Sequence, residues 1–240
     1  MATDSPTLWG AVLEGHQFDL ADWCEVLAAP YDPWVDVVDH AGAEIHVLRS
    51  AVLDDAADES DARLRALPLI EKLNGAALLS RNTESVNFGG IARIDNGRAV
   101  TIAKFASGDA AGRSRMKGYA VVLNSEGEII PQVRTRSDPQ RWIATAEGND
   151  IVADLLVNLA RANNWYDLYK AIELVQRLAG GQHALENRLG SKEADWEGAR
   201  LTANYFRHAR AYRPAQLTDF AVAKRLVILV ANEILRGIAP

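Results

Sequence analysis

At 240 residues, with 48% hydrophobic and 24% charged side chains, the chain has ordinary globular usage and can bury a substantial core as one large domain or two small ones. Its single cysteine, Cys24, excludes an intrachain disulfide and a cysteine-based zinc cage. The net charge of −6 is unevenly spread. Residues 1–61 carry 14 acidic side chains and one basic, Arg49, whereas residues 62–137 carry 12 basic and 6 acidic. Such an asymmetry reads either as self-complementation or as two regions facing different partners.

The N-terminal residues show neither a basic start nor an apolar stretch of signal-peptide type. The longest apolar run, Leu226 to Ala231, is too short to span a bilayer and is bracketed by Lys224, Arg225 and Glu233. The expectation is a soluble, cytoplasmic protein with no membrane partner.

Four short segments rich in Val, Ile, Leu and Trp read as strands: Leu8–Glu14, Asp22–Leu27, Trp34–Val38 and Glu44–Val52. Trp9, Trp23 and Trp34 would give this sheet large apolar area, and each buried indole N–H would need a partner. An acidic run, Asp54 to Asp61, leads into a helical pattern from Ala62 to Ser80. Leu64, Leu67, Ile70, Leu73 and Ala77 mark its expected apolar face, and Pro68 is expected to kink or restart it. Asp58, Glu59 and Asp61 suit the positive end of that helix.

From 86 to 133 the sequence reads as a four-stranded antiparallel meander, with hairpin turns at Asn96-Gly97 and Ser125-Glu126-Gly127. After Asp138 the period becomes helical. Helices are expected at Asp150–Ala162, around Leu168–Leu178 before Gly180-Gly181, at Ala184–Leu189, over 193–212 and from Thr218 as N-cap to Arg236. The last of these, apolar over more than one face, is expected at the centre of the helical half. The fold class is therefore α+β. A β-rich part, 1–137, combines an antiparallel sheet with one long helix at about 58–80; a helical bundle follows at 138–240.

The densest set of chemically versatile side chains lies in 193–212. Arg200, Asn204, Arg207 and His208 share one face of that helix, with Leu201, Tyr205 and Phe206 opposite. A solvated amphipathic helix has this pattern; so does one wall of a site for an anion, where arginines hold a phosphate or carboxylate and His208 moves a proton as the catalytic group. Glu173, between Ile172 and Leu174, is the carboxylate expected to meet one of these arginines. A helical ribonuclease site fits poorly, since Arg200 and His208 stand more than two turns apart.

Arg113, Arg115 and Lys117 alternate with small residues in a meander loop and could grip a nucleic-acid backbone, although no phosphate-loop step is present. His16, His40 and His46 sit among carboxylates without metal-binding spacing, so no metal and no cofactor is expected. Cys24 beside Trp23 reads as a small packed hydrophobe in a strand.

The run Trp165-Tyr-Asp-Leu-Tyr-Lys-Ala-Ile-Glu173 and Arg207-His-Ala-Arg210 resemble two short signatures, W-x-D-L-Y-K-x-x-E and R-H-A-R, of a bacterial protein family of similar length; Asn74-Gly75-Ala76 echoes a third. The resemblance covers mainly the C-terminal third. It implies a bacterial origin, carries no known activity and transfers no site residues. Whether the protein is an enzyme stays open. The first expectation is a non-catalytic recognition or regulatory protein of unknown partner. The alternative is an enzyme or binder acting on a small anionic ligand through the polar face of 193–212. Nucleic-acid binding is the weakest.

Overall fold

The computed structural model describes residues 8–95, 97–104, 135–208 and 214–238. Five strands are formed by the runs in which apolar residues alternate: β1 (Leu8–Glu14), β2 (Trp34–His40), β3 (Ala43–Arg49), β4 (Asn87–Asp95) and β5 (Arg98–Lys104). They close into a barrel in the order β1-β3-β2-β5-β4. Neighbours pair antiparallel except at one seam, where β2 meets β5 in parallel through Asp39 and Arg98. The expected antiparallel sheet is thus a mixed, closed one. Closure removes the exposed strand edges that an open sheet would leave.

Strand alternation divides the side chains between two cores. Val12, Val38, Val47, Ala92, Ile94 and Ala99, one or two from every strand, cluster together as the barrel filling. Ala11, Leu13, Val35, Leu48 and Ile91 belong instead to a large cluster shared with the helices. That cluster runs from Ala11 to Leu235, so described residues of both expected parts, 1–137 and 138–240, share one continuous core.

One expected strand is a helix. Residues 22–26 belong to α1 (Gln17–Val26), with Leu27 as its C-cap, and His16 caps the start by accepting from the Phe18 amide at 3.3 Å. Leu20, Trp23 and Val26 recur at three-residue steps and are buried, which is a helical and not a strand period. Trp23 is fully buried on this helix and its indole N–H has no hydrogen-bond partner among the described residues. Trp34 instead donates to Asp36 Oδ2 at 3.0 Å. After the short α2 (Ala51–Asp54) comes α3 (Glu59–Arg81), capped by Asp58, whose side chain accepts from the Asp61 amide. The acidic run serves this helix start, as Asp61 also accepts from Ala57 N and pairs with Arg65.

Pro68 neither stops nor restarts α3. It lies on the exposed face with Leu64, which is 69% exposed, so water can take the carbonyl that loses its intrahelical bond. The buried face matches the expected one in part: Ile70, Leu73 and Ala77 are buried, together with Ala62, Ala66, Leu69 and Ala76, whereas Leu64 and Leu67 point outward. Small residues there let α3 approach its neighbours closely. At Gly75 the approach is closest: a Cβ would stand 2.0 Å from the backbone oxygen of Leu156 in α5 (Asp150–Arg161).

The remaining helices are α4 (Asp138–Glu147), α6 (Trp165–Leu178), α7 (Gln182–Leu189), α8 (Glu193–Arg207) and α9 (Phe220–Ile238). A buried glutamine ties α4 to the first hundred residues. Gln140 Nε2 lies 2.9–3.1 Å from the carbonyls of Ala28, Tyr31 and Pro33, while its Oε1 accepts from Ser137 N. The N-cap of α9 is Asp219, which accepts from Ala221 N and Val222 N; Thr218 donates its amide to Thr202 Oγ1 instead. Nor is α9 central. It packs on α3, α6 and α8 with one side, leaving Val222 59% and Leu229 46% exposed on the other. Among the described residues no helix is long and apolar enough to cross a membrane.

Candidate functional site

Two helices packed on each other, α6 and α8, gather most of the residues singled out above. Asn164 caps α6 by accepting from the amides of Tyr166 and Asp167, which fixes the start of the helix carrying Tyr166, Tyr169, Lys170 and Glu173. The buried side of α8 holds Trp196, Ala199, Thr202 and Ala203. At the end of α8 an aromatic cluster locks the two helices together: Trp165 stacks on Phe206 at 5.4 Å and meets Phe220 edge-on at 5.1 Å.

The polar stripe of α8 is engaged by carboxylates and one phenol ring. Arg200 forms a two-pronged pair with Glu197 on its own helix, with nitrogen–oxygen distances of 2.7 and 2.6 Å. Hydrogen bonding to Glu197 holds the Arg200 guanidinium more firmly protonated than usual, against partial desolvation, with Tyr169 and Glu186 adding in the same direction. Arg207 crosses to α6, where its Nη1 lies 3.2 Å from Glu173 Oε1 and its guanidinium sits 4.4 Å over the Tyr169 ring. The expected meeting of Glu173 with an arginine of this helix therefore occurs, with Glu173 partly buried.

Asn204 is half-buried, and its carbonyl accepts from the amide of His208. His208 is the C-cap of α8 and is exposed. Its Arg207 neighbour, not His208, faces Glu173. The helix ends at Arg207; residues 209–213, and Arg113, Arg115, Lys117 and the second meander hairpin, lie outside the described residues.

The N-terminal histidines have separate structural roles. His16 caps α1, His40 Nδ1 lies 2.9 Å from the Ala99 carbonyl, and burial lowers the pKa of His46, opposed by Glu44. Among the described residues no cluster of three His, Cys, Asp or Glu side chains is placed to hold a metal. Cys24 packs, partly buried, against the main core from α1. The two oppositely charged regions do pair in places, through Arg81 with Glu25 and Arg65 with Asp61.

Away from the α6–α8 face the structure opens a groove of about 1200 Å³ between the end of α3, the loop before β4 and one side of α9. Its residues include Thr83, Lys224 and Arg225, none of which the sequence singles out as a site. Lys224 and Arg225 read there only as the charged flank of an apolar run. The missed signal is that Lys224, Arg225, Asn232, Glu233 and Arg236 recur along one edge of α9, with Ile228 and Leu229 between them.

Compared with family models, curated proteins and solved structures, the chain shows no match.

Proposed function

We propose that this is a non-catalytic recognition protein whose α6–α8 face contacts a protein partner. One observation carries the reading: the cations of α8 already have intramolecular acceptors, Glu197 for Arg200 and Glu173 with Tyr169 for Arg207. A fixed mosaic of paired charges and aromatic rings suits a protein surface. Tyr166, 53% exposed with the Lys170 ammonium 4.4 Å over its ring, extends that mosaic along α6. Tyrosine and arginine held in place on helices are the side chains that most often dominate binding energy at such interfaces.

The alternative, an anion gripped by Arg200, Asn204 and Arg207 with His208 moving the proton, requires the ligand to displace Glu197 and Glu173. Each displacement forfeits a charge-assisted bond before any new one is gained. The test is co-purification of tagged full-length protein from its native cells, comparing wild type with Tyr166→Ala and Arg207→Ala. A specific protein retained by wild type and lost by both folded variants is expected. Turnover of nucleotides or RNA by the wild type that disappears in His208→Ala would overturn the reading.

A further inference from the structure

The groove between α3 and α9 combines unpaired positive charge, an unsatisfied hydroxyl and an apolar wall. Of its cations, Arg81 is paired with Glu25 and Arg236 with Asp138, while the carboxylate Glu233 is taken by Lys192. Lys224 and Arg225 stand apart. Among the described residues neither has a carboxylate within ion-pair distance, although both line the groove. Thr83, only 4% exposed, lines it too, and its Oγ1 has no hydrogen-bond partner among the described residues. A buried hydroxyl without a partner costs stability that the fold recovers only when something bonds to it. Ile228 and the half-exposed Leu229 form the apolar side.

We propose that this groove binds a phosphate-bearing small molecule of nucleotide size, with Lys224 and Arg225 neutralising the phosphates, Thr83 supplying a hydrogen bond and Ile228 and Leu229 packing against the apolar body. The volume, about 1200 Å³, exceeds what a single phosphate needs and leaves room for a ligand of nucleotide size. Lys224 and Arg225 both line the groove from α9, so an ammonium and a guanidinium are available there to different oxygens of one diphosphate. Lys224 gains most from such a ligand. Desolvation lowers its pKa, and a phosphate bound beside it would supply a counter-charge. The other charged groups facing it are Arg81 and Glu84 from the α3 side and Arg225, Glu233 and Arg236 along α9. This inference does not rest on the α6–α8 reading, because the two surfaces share no residue.

Calorimetric titration of the full chain with ADP, inorganic pyrophosphate and adenosine tests it, in wild type and in Lys224→Gln, Arg225→Gln, Thr83→Val and Arg207→Ala. ADP is expected to bind the wild type and Arg207→Ala equally. Affinity should fall by about tenfold or more in Lys224→Gln and in Arg225→Gln, as expected for loss of one charge-assisted hydrogen bond. Lys224→Arg should retain binding, which separates lost charge from a misfolded groove. Adenosine binding as tightly as ADP, no binding of either phosphate compound at millimolar concentration, or loss of binding in Arg207→Ala with Lys224→Gln unaffected would each overturn the proposal.

Discussion

Arg207 and Glu173 join α8 to α6 across a gap that no backbone hydrogen bond bridges, with Arg207 Nη1 3.2 Å from Glu173 Oε1 and the guanidinium lying over Tyr169. Both side chains keep a third or more of their surface in water, so solvent screens the pair. Arg207→Ala should therefore cost at most about 1 kcal/mol of stability, cation–π contact included. Urea unfolding at low and high salt checks this: the difference from wild type should shrink as salt rises. A loss several times larger would mean that the clasp organises the bundle and is not a surface feature.

Gly75→Ala tests the α3–α5 crossing. Alanine is the better helix former by about 1 kcal/mol, so local propensity predicts stabilisation. The tertiary contact predicts the opposite, since the added Cβ would fall 2.0 Å from the Leu156 backbone oxygen and neither helix backbone can give way cheaply. Overpacking should win by about 3 kcal/mol or more. Thermal unfolding of the variant settles the sign, and an unchanged or raised Tm would rule out the close crossing.

Gln140→Leu removes the amide that lies against the carbonyls of Ala28, Tyr31 and Pro33 and leaves the buried Pro33 carbonyl, and the part-buried other two, beside an apolar side chain. The expected loss is about 2–4 kcal/mol, set by the carbonyls left unpaired rather than by the bonds themselves. Chemical denaturation measures it. Hydrogen exchange should also show faster opening of the segment 28–33 if this amide is what anchors it.

Thr83→Val should have opposite effects on stability and on binding. Replacing a buried hydroxyl that has no partner among the described residues by a methyl relieves a desolvation cost, so the protein without ligand should gain about 1 kcal/mol. A destabilised variant would show that the hydroxyl has a partner inside the fold.

Lys224→Met should stabilise the protein at neutral pH, and the gain should be pH-dependent. Burial lowers the folded-state pKa of Lys224 below the unfolded one, so charging this lysine in the fold is a cost. That cost is fully present at pH below the folded pKa and is relieved as pH rises from there toward the ordinary lysine value, about 10.4. The advantage of Lys224→Met over wild type should accordingly narrow in alkaline solution. A difference independent of pH from 7 to 10 would assign the effect to packing.

Local chemistry decides much of this molecule. The hairpin around Gly97, the capped start of α3 at Asp58, the helical period after Asp138 and the turn at Gly180-Gly181 are all written in neighbouring residues, because caps, turns and amphipathic periods act over four or five positions. So is the candidate set on α8: residues four and seven apart share a face whatever the rest of the chain does. The same reasoning misplaces α1, where Trp23 and Val26 look like strand residues until Leu20 is counted with them at helical steps.

What faces what was decided only in three dimensions. The parallel seam between β2 and β5, the packing of α3 that buries Ala62 and Ala66 and leaves Leu64 and Leu67 outside, and the side of α9 left open to the groove all follow from packing between distant segments. The candidate stripe on α8 is the clearest case. Its sequence sets out cations on one face of a helix; only the docking of α6 brings Glu173 and Tyr169 beneath Arg207, and thereby turns a potential anion grip into a paired surface. A free cation and a neutralised one are identical in sequence, because the difference lies in a carboxylate thirty-four positions away.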